Sequence, residues 1–579
     1  MNILGLNIFH PDSAACIIKN GVLVAASEEE RFNRIKHYSG FPTNSLNFCL
    51  EQANLKISDI DFVTINSNNY YNFNHKILYF LKNFFKINLY LKIKLYFYRF
   101  NLKEHILKNL KISNSTKFKI VYVPHHLSHT SSIINMFNKP IGVSVSMDGS
   151  GDFSTLEAYK IANEKFLLID KEIFPNSLGL FYQAFTQFLG FPNYGDEYKV
   201  MGLSAYGEPV FVDRVYKVFK KKNLFPIRVD YFGIMQNTYN KNETSETKYF
   251  FPNLYKKKIE YLFGIPRKEG EPIIKVHKNI AASVQKVFED IFFYKLNKLY
   301  EKFPSENLFL SGGCAFNSLA AGKIKKKTNF KNIFITSNSG DAGGALGAAI
   351  YIAKKYDKFI NNNDLSTPFL GINFSNNYIA ENIKSLADKK NFKSLFFTDE
   401  KKFFDFVSDE IIKKKIIGWF QGRAEWGPRA LGNRSILADP RIKDIKDIIN
   451  TKIKKREEFR PFAPSILSEF SKDYFNSDME ESNLMCFVAE AKQIAKERIP
   501  ACVHVDGTSR FQTVTLKFNE KFYKLIYSFY NKTGVPVLLN TSLNIDEPIC
   551  NTPEHAWNLF CGSELDTLVL ENWVFKKND

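Results

Sequence analysis

Three of the chain's ten histidines fall within five positions, in Val121-Tyr122-Val123-Pro124-His125-His126-Leu127-Ser128-His129. His125 and His129 are four residues apart, so a helix opening after Pro124 puts both imidazoles on one face, within reach of one ion. An isolated pair at this spacing is more often two satisfied histidines. Two aspartates change the balance. Ile141 to Met147 reads as a strand ending at Asp148-Gly149, and Ser339-Gly340-Asp341-Ala342-Gly343-Gly344 again sets an Asp in a tight Gly-rich turn. His125, His129, Asp148 and Asp341 make a four-ligand candidate without thiolate, which suits Fe(II), Mn(II) or a catalytic Zn(II). Such an ion would polarise a carbonyl or clamp phosphate oxygens. His10, in the first polar turn with Asp12 and Ser13, could then deprotonate an attacking hydroxyl; taken alone it reads equally well as a turn cap.

A second chemistry is written in arginines. Arg423, Arg429, Arg434, Arg456, Arg460 and Arg510 sit beside Gly, Pro and small polar residues. Planar guanidinium forks held by such loops suit a small polyanion better than a long nucleic acid. Structural pairing with Glu425, Glu457 and Glu458 is the competing reading for any one of them. In the first half, the strand Asn307 to Leu310 runs into Ser311-Gly312-Gly313-Cys314-Ala315-Phe316-Asn317-Ser318 and a helix, a place for phosphate or adenosine. The Gly-x-x-x-x-Gly-Lys spacing of a P-loop is absent.

The elements that must hold these groups are α/β. Strands at 3–8 and 14–18, the Asn20-Gly21 hairpin turn and a returning strand at 22–26 lead to a helix opened by Pro42 and a strand at Asp61 to Asn66. This opening resembles that of an actin-like nucleotide-binding domain. Residues 210–275 read as an irregular insertion, and Asn361-Asn362-Asn363-Asp364 as a linker before a second domain starting near Pro368. No internal repeat is visible.

Composition limits the alternatives. The 579 residues exceed one core, with 45% hydrophobic and 24% charged residues, values ordinary for a globular protein. No run approaches the ~18–20 apolar residues of a membrane span, and the N-terminus lacks a signal-peptide pattern, so the chain reads as cytoplasmic. Seven scattered cysteines without a Cys-x-x-Cys argue against a disulfide framework, zinc ribbon or iron–sulfur site. The net charge of +19 is concentrated at Lys76 to Lys119, where ten Lys and one Arg face only Glu104 among Phe, Tyr, Leu and Ile. A solvated basic flank and a peripheral contact with an anionic membrane are both open readings.

Together these motifs resemble the O-carbamoyltransferase family that modifies antibiotics and nodulation factors. The resemblance runs over almost the whole chain, through GLNIFHPDSAA, EEERFNRIKHYSGFP, HHLSHTSS, MDGSGD, SGGCAFN, SGDAGGALGAA, GRAEWGPRALGNRS, KKREEFRPFAP, HVDGTSRFQTV and LLNTSLNIDEPI. It implies an actin-like (ASKHA) carbamoyl-transfer domain over residues 1–358 and a YrdC-like domain over 368–579, the latter making carbamoyl adenylate from carbamoyl phosphate and ATP. It implies His125, His129, Asp148 and Asp341 as ligands of a metal, typically iron, with Mg(II) a further candidate ion. His10 falls at the family's base and Lys36 at a substrate lysine. Gly312, Gly313, Asn317 and Gly343 fall in the cofactor-binding loops of the first domain. Arg423, Arg429, Arg456, Arg460, Arg510 and Asn540 fall in the carbamoyl phosphate and ATP pocket. The sequence departs from the family at His-Pro-Asp-Ser, where His-Asp-x-Ser is common, at Cys314, and in the basic segment.

The expected activity is carbamoyl transfer to a hydroxyl of a sugar-containing small molecule or polysaccharide precursor. The expected partners are small molecules rather than nucleic acid, with peripheral membrane contact through Lys76–Lys119 and a homodimer both open. A tRNA threonylcarbamoylation-type enzyme, a sugar kinase on the actin-like scaffold and a non-catalytic binding protein are the rivals, the last of which would make the four candidate ligands a coincidence. The first would account for the charge; the second leaves the C-terminal domain without a use.

Overall fold

The computed structural model describes residues 1–82, 102–109, 117–137, 141–162, 165–221, 224–233, 253–356, 359, 367–390, 392–479 and 481–577. They form two compact units, Met1–Ser366 and Thr367–Asp579, each of mixed α/β structure. The linker expected at Asn361 to Asp364 and much of the Lys76–Lys119 stretch lie outside the described residues.

The first unit opens with β1 (Asn2–Asn7), β2 (Ala14–Lys19) and β3 (Val22–Glu28), an antiparallel meander. Asn20 and Gly21 join β2 to β3 with φ of 50° and 85°, the left-handed pair that a two-residue hairpin turn needs. With β4 (Phe62–Ile65) and β5 (Lys119–Tyr122) pairing in parallel, the sheet order is β3-β2-β1-β4-β5.

The next strands repeat this plan. β6 (Ile141–Gly151), β7 (Ser154–Ala162) and β8 (Lys165–Ile173) form a second antiparallel meander. Beyond the β9 (Phe219–Lys221) and β10 (Leu224–Ile227) hairpin, β11 (Asn307–Ser311) and β12 (Asn332–Phe334) add in parallel, giving β8-β7-β6-β11-β12. The expectation of no internal repeat is thereby corrected at the level of topology. A repeated order of strands and crossovers requires the same alternation of elements, not the same side chains. Within 210–275, the described residues also hold the short helices Val212–Tyr216 and Glu260–Phe263, so that stretch is less irregular than its sequence suggests.

One helix draws the first unit together. Asp341–Lys355 lies against β1 and against the helix His125–Met136. A Cβ at Gly5 would stand 2.3 Å from the Ala345 carbonyl oxygen, and one at Gly347 only 1.7 Å from that of Ser128. Glycine at both contacts lets backbone approach backbone, which brings the N-terminal ends of the two helices side by side.

The second unit contains β13 (Lys393–Phe396), β14 (Ile417–Phe420), β15 (Arg434–Ala438) and β16 (Ala463–Leu467). A small sheet follows, of β17 (Phe475–Asn476), β18 (Val488–Ala491) and β19 (Thr508–Arg510). After it come β20 (Gln512–Val514), β21 (Val537–Ser542), β22 (Thr567–Leu570) and β23 (Trp573–Lys576). The main sheet runs β13-β23-β22-β14-β15-β21-β16-β20 and is mixed in direction. Helices Glu400–Ile412 and Glu520–Thr533 pack on it, joined across their buried faces by Ser408 and Ser528 at 3.0 Å.

Candidate metal centre and arginine cluster

Pro124 precedes the helix His125–Met136 with φ −53°, and Asp152 steadies its first turn by accepting the His125 backbone N–H at 2.8 Å. The same carboxylate accepts the Asn68 N–H at 2.8 Å and the Ser67 hydroxyl at 2.9 Å, tying the end of β4 to the helix. Asp148 comes from β6, where the pairing with β7 shifts between Met147 and Gly151, the kind of bulge that re-aims a side chain. Asp341 is the first residue of its helix.

These elements bring the four predicted ligands together. One ligand atom from each of His125, His129, Asp148 and Asp341 lies within 4.8 Å of the others. The two Nε2 atoms are 3.0 Å apart. Asp148 Oδ2 lies 3.6 and 3.3 Å from them, and Asp341 Oδ1 3.4 and 3.6 Å. Asp148 Oδ2 is buried without a hydrogen-bond partner. Two converging imidazole nitrogens, an orphaned buried carboxylate oxygen and a net charge of about −2 with neutral imidazoles fit one divalent cation. Burial works against charge here. Even so, the carboxylates of Asp148 and Asp341 raise the His129 imidazole to about 9, and His125 and His129 hold Asp148 well below the usual carboxylate range. His126 turns away, its Nδ1 2.8 Å from Ser146 Oγ, and burial with neighbouring His125 lowers it to about 4.

His10 reaches the same group. Its Nδ1 lies 2.6 Å from Asp341 Oδ2, and its side chain keeps 36% of its exposure. The turn that aims it is strained, with Phe9 and Asp12 at φ 54° and 60°, and Asn7 Nδ2 holds it by donating to the Pro11 and Asp12 carbonyls at 2.9 Å. Asp12 points elsewhere, 2.7 Å from His37 Nδ1. Burial opposes the charge on His37, but Asp12 outweighs it and raises the imidazole to about 9. Lys36 is half-buried beside His37. Tyr194 sets its ring edge on His37 at 5.1 Å between centroids. Gly195, at φ 84°, has no Cβ to strike that imidazole, which a Cβ would meet at 2.5 Å. Burial raises nearby Glu197 to about 7.

The glycine-rich loops have local duties. Gly312, at φ 82°, lets the turn pass the Met147 carbonyl, which a Cβ would meet at 2.3 Å; a Cβ at Gly313 would stand 3.0 Å from Asp148 Oδ1. Asn317 caps the helix Ser318–Lys327 by accepting the Ala320 N–H and pairs with Gln285. Gly343 packs on the Asn338 carbonyl, 1.9 Å from where its Cβ would lie. Cys314 is buried and its thiol is pushed up by that burial.

In the second unit the arginines divide. Arg434 is fully buried, donates to the carbonyls of Ile372, Gln421, Gly422 and Asn433, and lies 3.5 Å from the Phe420 ring centroid. It braces the loop instead of joining the anion-binding set expected of it. Glu425 is equally internal: one oxygen accepts the backbone N–H groups of Leu431, Asn433 and Arg434 at 2.9–3.0 Å, so it is not the arginine partner its position suggests. Arg423 donates to the Leu370 and Gly371 carbonyls, and Arg456 to Asn450 Oδ1 while stacking over Phe462. Arg429 reaches Cys486 Sγ at 2.9 Å, and Arg460 lies 3.4 Å from Glu457. The Arg510 guanidinium has no hydrogen-bond or ion-pair partner among the described residues. Burial and the fields of Arg429 and Arg460 lower it to about 9. Asn540 donates to Ala430 O, Ser465 Oγ and Gln512 Oε1, and its buried Oδ1 has no partner. A half-buried cation repelled by two others calls for an anion.

The sequence reading passed over Asp152, His37, Tyr194 and Glu197. Asp152 stood in MDGSGD and His37 in RIKHYSGFP, but a backbone-capping carboxylate and a dyad across 25 positions carry no spacing signal.

Residues 2–350 match the family model for the carbamoyltransferase N-terminus, and residues 408–577 that for the carbamoyltransferase C-terminus. The uncharacterized protein sll1178 of Synechocystis sp. is 36% identical, over 100% of this chain and 97% of its own. The nodulation protein NolNO of Sinorhizobium fredii is 34% identical over 99% of this chain and 80% of its own. The 3'-hydroxymethylcephem-O-carbamoyltransferase of Streptomyces clavuligerus is 27% identical over 64% of this chain and 62% of its own.

Proposed function

This chain belongs to the carbamoyltransferase family, and we propose that it is an O-carbamoyltransferase working in two stages. In the second unit, read as YrdC-like, carbamoyl phosphate gives up its phosphate to water, and the carbamate oxygen attacks the α-phosphorus of ATP, forming carbamoyl adenylate and releasing pyrophosphate. Arg429, Arg460 and Arg510 suit the phosphates, and the unpaired Asn540 Oδ1 suits an amide N–H of the carbamoyl group.

In the first, actin-like unit, the acceptor hydroxyl oxygen bonds to the carbamoyl carbon as the carbon–oxygen bond to AMP breaks. With Nδ1 facing the Asp341 carboxylate at 2.6 Å, His10 would take the hydroxyl proton on Nε2, and the carboxylate would steady the imidazolium that results. His125, His129, Asp148 and Asp341 would hold a divalent metal, Fe(II) by family resemblance, which when bound supplies Lewis-acid polarisation of the carbamoyl carbonyl. Mg(II) would serve as the counter-ion of ATP. Gly312 and Gly313 suit adenylate backbone contacts. A hydroxyl of a sugar-containing acceptor is the proposed substrate.

The carrying observation is that one carboxylate, Asp341, joins a half-exposed histidine to the four-ligand group. The test is the nucleotide product. The proposal requires AMP, phosphate and pyrophosphate, all dependent on carbamoyl phosphate. ADP formed without carbamoyl phosphate would make the protein a kinase, and a strict need for tRNA would move it to the threonylcarbamoylation type.

A further inference from the structure

We propose that Gln512 is a positioning residue that fixes the side-chain amide of Asn540, so that the second unit takes a carbamoyl group and rejects an acetyl group of nearly the same size. This selectivity rests on the two-stage reading of the chain and belongs to its first stage, the forming of carbamoyl adenylate. Asn540, Ser465 and Gln512 stand on the neighbouring strands β21, β16 and β20 and are 1%, 0% and 0% exposed. Gln512 Nε2 donates to the Leu431 carbonyl at 2.9 Å. A carbonyl cannot donate, so the Gln512 amide is held one way round, with Oε1 as the acceptor. Oε1 takes the Ser465 hydroxyl at 2.6 Å and Asn540 Nδ2 at 3.2 Å. The Ser465 oxygen, its proton given to Gln512, accepts Asn540 Nδ2 at 3.0 Å, and the Ala430 carbonyl accepts it at 3.2 Å. Turning the Asn540 amide over would set Oδ1 against the oxygens of Ala430 and Gln512, neither of which can donate. Asn540 Oδ1 is therefore locked as an acceptor, buried and without a hydrogen-bond partner among the described residues.

The string of amides runs through the arginine cluster. Ala430 directly follows Arg429, and Gln512 stands two residues beyond Arg510, whose guanidinium lies in the fields of Arg429 and Arg460. A phosphate held by these cations would carry its carbonyl substituent to the same loop. Carbamoyl phosphate ends there in an NH2 group and acetyl phosphate in a methyl group. An apolar wall separates such a pair poorly, whereas a fixed acceptor that only the N–H satisfies separates them well. With the methyl group in place, the buried Oδ1 stays unpaired, and that is costly. Loss of the Gln512 acceptor would free the Ser465 proton for Asn540 Oδ1, which is how the lock would open.

The test is ATP–pyrophosphate exchange by the full chain, with carbamoyl phosphate or acetyl phosphate as the donor. The wild type is expected to prefer carbamoyl phosphate by at least about 100-fold in kcat/KM. Gln512→Met keeps the length of the side chain and removes the acceptor, and the preference should drop at least about tenfold. Gln512→Glu keeps an oxygen toward Asn540 and should retain most of the preference. No preference in the wild type, a rate loss shared equally by both donors in Gln512→Met, or a preference lost equally in Gln512→Glu would each overturn the proposal. Should Gln512→Met fold poorly, inhibition of the wild type decides. Phosphonoacetamide should then inhibit exchange at least about tenfold more strongly than acetonylphosphonate, its methyl counterpart, and equal inhibition would overturn the proposal. Exchange that needs no carbamoyl phosphate would instead overturn the two-stage reading, and this selectivity with it.

Discussion

Asp341 stands 2.6 Å from His10 Nδ1 through one carboxylate oxygen and 3.4 Å from His125 Nε2 through the other. The group proposed to accept the hydroxyl proton and the group that would hold the metal thus meet at one side chain. Asn66 fixes the backbone of that residue by donating to its carbonyl at 3.0 Å.

Removing the base should separate the two stages. His10→Ala is expected to lower carbamoyl transfer by about 10²–10⁴-fold and to leave pyrophosphate exchange at the wild-type rate. Equal loss of both would place His10 outside the proton-transfer role.

Asp148→Asn keeps the shape of the side chain and removes its charge. Metal content by elemental analysis after dialysis should then drop, with an affinity loss of at least about tenfold. Retention of a full equivalent would take Asp148 out of the ligand set.

Gly347→Ala tests how the ligands are brought together. Its Cβ would meet the Ser128 carbonyl at 1.7 Å, so the helices carrying His125, His129 and Asp341 must separate. A stability loss of about 1–3 kcal/mol by denaturant unfolding is expected, together with weaker metal binding. A variant as stable as the wild type would mean the contact is looser than the geometry states.

The Asp12–His37 pair predicts a pH dependence. His37 is raised to about 9 from an ordinary value of 6.5, so its contribution is present in full below 6.5 and is lost as pH rises through about 9. The melting temperature of the wild type should therefore exceed that of Asp12→Asn at pH 6 and converge on it by about pH 10. A gap that does not change with pH would assign Asp12 a packing role alone.

The sequence carried the metal-ligand candidates because each stands at a boundary with a local signature: Pro before His125, Gly after Asp148 and Gly before Asp341. It carried the β1–β3 meander through short apolar runs and the Asn20-Gly21 turn. It could not rank the arginines. Arg434 and Arg510 both stand near glycine and small polar residues, yet four carbonyls surround one and two cations flank the other, because the chain returns to Arg434 from Ile372 and to Arg510 from Arg429. Nor did it show Asp152 as an anchor, since its partners Ser67 and Asn68 lie 85 and 84 residues away. The two five-stranded sheets are likewise a repeat of order, which no residue pattern announced.

The most direct test of the two-stage account is carbamoyl-phosphate-dependent ATP–pyrophosphate exchange in the wild type, His10→Ala and Arg510→Ala. The account predicts exchange in the first two, none without carbamoyl phosphate, and a loss of at least about tenfold in Arg510→Ala, whose unpaired guanidinium is assigned to the phosphates. Exchange that ignores carbamoyl phosphate, or that survives intact in Arg510→Ala, would contradict it.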